Sequence, residues 1–236
     1  MSAGTSTAAM GQATGAGADT PPVRVVVRPL ANPLPLGFLA LMVATVSLAM
    51  MQVGALPEDQ GHTVAIVVLA FTVPLQLVAS VLGFLARDAV AGTGMGVLAG
   101  TWAVTGFVML GAPPGSTSPT LGVLLLCSAV AMLVPTVSAT GKLAGMAVMG
   151  LSAVRFAVTG VGHLADSKGW LTLAGGVGLL LGLVAAYAAL AFELEDVRHA
   201  SVLPVGRRGQ GADTMTAALE ESVAAVPHEA GVRKQL

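Results

Sequence analysis

Four polar side chains are spaced three, four and four residues apart in one otherwise apolar stretch: Ser152, Arg155, Thr159 and His163. On a helix that spacing puts all four on one face. Arg155 carries the chemistry. A guanidinium is always charged and can grip a carboxylate through two parallel N–H donors. An arginine in the middle of a membrane span costs at least ~2.5–3.5 kcal/mol on insertion scales, and such residues commonly mark ion or substrate pathways. The structural alternative is neutralisation by helix carbonyls, or by a carboxylate near a helix end such as Asp88 or Glu193. A second stripe, Thr72, Gln76 and Ser80, repeats every four residues. A third aligns Leu41, Thr45, Ala49 and Gln52, and Thr101, Trp102 and Thr105 add a further polar patch. Such stripes serve either as hydrogen-bonding glue between helices or as a polar path through a bundle.

The elements that position these residues follow from composition. Only 10% of the 236 residues are charged while 55% are apolar, against roughly 25% charged in an ordinary soluble domain. A chain with so few charges needs lipid as the solvent for its outside. The formal net charge of −1 gives no bias toward nucleic acid. The single cysteine, Cys127, excludes an internal disulfide and multi-cysteine metal sites.

Six apolar runs are predicted as spans, at about 36–54, 63–86, 93–112, 120–139, 143–164 and 170–192. Each is near the ~20 residues that cross a hydrocarbon core of ~30 Å. The cluster Pro113-Pro114-Gly115-Ser116-Thr117-Ser118-Pro119 divides the third from the fourth, because it cannot continue a helix. Backbone groups in lipid must be satisfied within a segment, so the spans are helices. The fold class is therefore an all-α membrane protein, a bundle of six transmembrane helices. Polar tails at 1–28 and 205–236 flank a transporter domain at 29–204, with a short amphipathic helix expected near Thr216–Val226. Nine Lys and Arg residues fall on the side of the termini and only Lys168 on the other. That bias predicts a multi-pass plasma-membrane protein with both termini in the cytoplasm. Pro74 and Pro135, inside spans, are expected to kink their helices. The spans hold no nucleophile–base pair and no metal set, so an enzyme is not expected, nor a cofactor or metal.

The first span opens on Asn32-Pro33-Leu34-Pro35-Leu36-Gly37. This resembles the Asn-Pro-x-Pro-Leu-Gly signature of the acetate uptake transporter family, the succinate–acetate permeases. Ala91 to Trp102 (AGTGMGVLAGTW) is similar to that family's third-helix segment, and Glu193 to Gly206 (ELEDVRHASVLPVG) to its closing segment. The resemblance implies acetate, or a small carboxylate such as succinate, moving with protons or through a channel. It also implies a homo-hexamer with one pore per protomer. Asn32, Pro33, Pro35, Gly37, Thr45, Gln76, Ser152, Arg155 and Thr159 are the expected pathway residues. The family's apolar constriction would fall on Leu41, Trp102 and Ser152, where the family pattern is Phe, Tyr and Leu. A different reading makes the chain a non-transporting sensor or assembly factor that acts through its C-terminal tail.

Overall fold

A computed structural model describes residues 30–198 and 200–208. Both terminal tails, including the helix expected near Thr216–Val226, lie outside the described residues. Within them are six helices long and apolar enough to cross a membrane: Leu34–Gln52, Glu58–Leu85, Ala89–Gly111, Pro119–Gly141, Leu143–Leu164 and Lys168–Arg198. They are called the first to the sixth helix below. Each packs on its neighbour in the chain, and the first packs closely on the sixth, so the six close into a ring. Large apolar side chains cover the outside; Phe107 and Leu183 are 67% and 72% exposed. Cys127 is also exposed on that outer face.

Polar side chains cap two of the helices directly after short connections. The second helix ends with Arg87 in the left-handed region (φ 61°), and the amide of Asp88 donates to the Gly83 carbonyl at 2.9 Å. Asp88 then accepts from the amide of Ala91 at 2.9 Å and so caps the third helix. Ser118 caps the fourth helix in the same way, through the amide of Leu121.

The second helix is not uniform. A π-helical turn occupies Val68–Thr72, and the amide of Val73 reaches back to Val68. Pro74 explains it: proline has no N–H to donate, and its ring crowds the carbonyl four residues earlier. The wider turn absorbs both defects. Pro135 is accommodated inside the fourth helix.

The sixth helix runs to Arg198, beyond the expected end at 192. The packed region also continues past the expected boundary at 204, as far as Arg208. Val205 is buried. The amides of Leu143 and Ala144 donate to the carbonyls of Gly206 and Val205 at 3.2 and 3.0 Å. The fifth helix lacks a side-chain cap, and this returning segment supplies acceptors for its first free amides. Arg207 pairs with Glu195, which is only 5% exposed.

Candidate functional site

All six helices contribute residues to a cavity of about 460 Å³ that opens at the end of the bundle where the first helix finishes and the second begins. Its rim comes from the loops that follow the first and third helices, including Val53, Pro57 and Pro113–Ser116, and from Lys168 at the start of the sixth helix. Its deeper wall holds Leu48, Trp102, Thr105, Arg155, Phe156 and Thr159. Arg155 is the thirteenth residue of the 22-residue fifth helix, so at ~1.5 Å per residue the cavity reaches to about mid-depth.

Arg155 is 1% exposed. Its Nη1 donates to the carbonyl of Ala174 on the sixth helix. Gly178, one turn further on, makes room for it: a Cβ there would lie 2.7 Å from Cζ and 2.8 Å from Nε. Nη2 has no hydrogen-bond partner. The carbonyl alternative for Arg155 thus accounts for one end of the fork and leaves the other unused. Asp88 instead lies 3.9 Å from Lys142, near the termini, and Glu193 is exposed.

Trp102, 2% exposed, stands edge-on to Phe156, with ring centroids 6.1 Å apart. The two rings form the floor of the cavity, and the indole Nε1 has no partner. Thr105 and Thr159 donate their protons to carbonyls of their own helices, at 2.8 and 2.7 Å. They therefore show the cavity lone pairs rather than protons. Nearer the rim, a ring nitrogen of His163 accepts from the amide of Ser118 at 3.3 Å. Lys168 pairs with Glu58 at 3.0 Å.

Of the expected pathway residues, only Arg155 and Thr159 line this cavity. Ser152 is buried and donates to Val148 of its own helix. Thr45 is buried and makes a long contact, 3.4 Å, with the carbonyl of Gly178. Gln76 is fully buried, and neither atom of its amide has a partner. Its stripe neighbours are glue: Thr72 donates to Ala40 at 3.0 Å and Ser80 to Gly92 at 2.6 Å.

The Asn32–Gly37 segment lies at the opposite end of the bundle. Asn32 accepts from the amide of Leu34 at 3.1 Å and so secures the start of the first helix. Pro33 and Pro35 are buried. Gly37 lets the first helix lie against the sulfur of Met95. Of the expected constriction residues, Trp102 lines the cavity, whereas Leu41 and Ser152 are packed away from it. Sequence reasoning had not assigned Phe156, Thr105 or Gln52 to the site, although Gln52 and Thr105 stood in the polar stripes.

No protein-family model matches the chain, and no curated protein matches it. Among solved structures it is similar to the bacterial acetate channel SatP, at 24% identity and a TM-score of 0.67, over 75% of this chain and 99% of that one. The chain outside that match is about what the two tails account for. The chain thus has the fold of the bacterial acetate channel SatP: a closed ring of six membrane-spanning helices.

Proposed function

We propose that the protein is a transporter or channel for acetate or a related small carboxylate, a member of the acetate uptake transporter family. The observation that carries this reading is a buried arginine with a free donor at the floor of a cavity, inside a ring of membrane helices. An anion entering from water loses its hydration there. A charge-assisted hydrogen bond in a water-poor site offsets much of that loss. The fold shared with an acetate channel supports the same substrate class, and the Asn-Pro-x-Pro-Leu-Gly segment supports the family.

The cavity faces the outside in this reading, since the Lys and Arg bias assigns the termini to the cytoplasm. Below Trp102 and Phe156 the bundle is filled by Leu41, Met95, Leu98 and Met149, all fully buried. This state is therefore open outward and closed inward, and passage requires the apolar layer to part. A negative cell interior opposes anion uptake by about 2.3 kcal/mol per charge per 100 mV. Net uptake thus favours a co-moving proton, carried by the substrate itself or relayed through His163 and Glu193. Six copies in a ring, each with its own pathway, are the expected assembly in the plasma membrane.

The test is uptake of labelled acetate and succinate into proteoliposomes with and without an inward proton gradient. Saturable acetate uptake that rises as the external pH falls is expected. No uptake under any gradient by correctly assembled protein would overturn the reading. Flux that follows voltage alone would replace coupled transport by an anion channel.

A further inference from the structure

Two buried donors lie unused at the cavity floor, and they belong to different helices. One is Nη2 of Arg155 and the other is the indole N–H of Trp102. Both residues line the same cavity and are at least nine-tenths buried. Buried donors in folded proteins are nearly always satisfied, so these two call for an acceptor; the one unpartnered buried acceptor among the described residues of the lining, Oε1 of Gln52, belongs to the last residue of the first helix. Nη1 of Arg155 spends one of its N–H groups on the Ala174 carbonyl, so Nη2 is the end of the fork left without a partner. Thr105 and Thr159 cannot donate, since their protons go to helix carbonyls.

We infer that Trp102 Nε1 and Arg155 Nη2 together bind one carboxylate, one oxygen each, and that the site selects a monocarboxylate with a short alkyl tail. This rests on the proposed role of Arg155 as the anion-binding residue. It gives Trp102 a polar task in place of a purely steric one. The tail of the bound acid meets Leu48, Val108, Met109, Leu121 and Leu125, which are apolar. A dicarboxylate would push its second charge against those side chains. The other cation of the cavity, Lys168, is 85% exposed at the rim and engaged by Glu58, so it is not free to take that second charge. A buried charge without a partner is strongly disfavoured.

The experiment uses the full chain in a Trp170→Phe background; Trp170 is exposed and outside the cavity, so Trp102 becomes the sole indole. Acetate should change its emission saturably, and a tenfold excess of succinate should not displace acetate. Trp102→Phe keeps a ring on the floor and removes the N–H. It should raise KM for acetate about tenfold, the size of one charge-assisted hydrogen bond. An unchanged KM in Trp102→Phe, alongside a raised KM in Arg155→Gln, overturns the shared site and leaves the arginine reading standing. An unchanged KM in Arg155→Gln overturns that reading as well. Emission indifferent to acetate, or equal competition by succinate, removes the indole contact or the monocarboxylate preference respectively. Emission needs no variant of the site itself, so it decides the indole contact even if Trp102→Phe fails to assemble.

Discussion

At the scale of single residues, the position of Arg155 depends on what its neighbours lack. Gly178 has no side chain, and the guanidinium occupies the space a Cβ would fill. Gly178→Val should therefore displace the guanidinium and abolish most carboxylate flux, while the conservative Gly178→Ala loses less. The same change at Gly176, where a Cβ meets nothing, is the control and should leave flux per assembled protein near normal. Equal losses at both positions would make the effect one of helix packing. For Arg155 itself, Arg155→Gln removes the charge and should lose most transport. Arg155→Lys keeps the charge on a different geometry and should retain part of it. Full activity of Arg155→Gln, normalised to assembled protein, leaves the arginine a structural link to Ala174. Trp102→Ala opens the floor beside Phe156, and the acetate-to-succinate flux ratio should fall; an unchanged ratio removes Trp102 from selection.

At the scale of elements, the segment Val205–Arg208 is the least expected part of the fold. It closes the fifth helix with backbone bonds, and its Arg207 neutralises a carboxylate buried on the sixth. Tyr187 adds a bond from its hydroxyl to the carbonyl of Pro204 at 2.9 Å. Removing one partner of a buried pair costs about 3–5 kcal/mol, because the other charge is left without compensation. Arg207→Gln should thus lower the unfolding midpoint of the detergent-solubilised protein clearly. Adding Glu195→Gln should recover much of the loss. If the double variant is as unstable as the single one, the pair acts through shape and not through charge.

At the scale of the whole molecule, an even number of helices returns the chain to the side it started from. Reporters placed after Arg208 and near Ser116 should therefore report opposite sides, cytoplasmic and external. Finding both on one side would refute the orientation. The ring closure between the first and sixth helices matters equally, since it turns a row of helices into a closed bundle. Their contact relies on small residues: a Cβ on Gly182 would collide with Val46 of the first helix, and one on Gly175 with Val53 just past its end.

What the sequence determined by itself is the part governed by solvent. Hydropathy and the Pro113–Pro119 break yield six spans with ends within six residues of those observed, because a bilayer imposes length and composition on every span separately. The stripe spacing put Arg155 and Thr159 on one face for the same local reason. Tertiary structure decided which stripes line space and which are glue. Thr72 and Ser80 read like Thr105 and Thr159, yet the first pair bonds to other helices and the second lines the cavity. Nothing local distinguishes them, because a hydroxyl's use depends on whether a neighbouring backbone comes within reach. The same holds for Leu41 and Trp102, two apolar residues of which only Trp102 reaches the cavity. The docking of Val205–Arg208 was equally hidden: its polar composition reads as a tail, and only the uncapped start of the fifth helix and the buried Glu195 give it somewhere to bind.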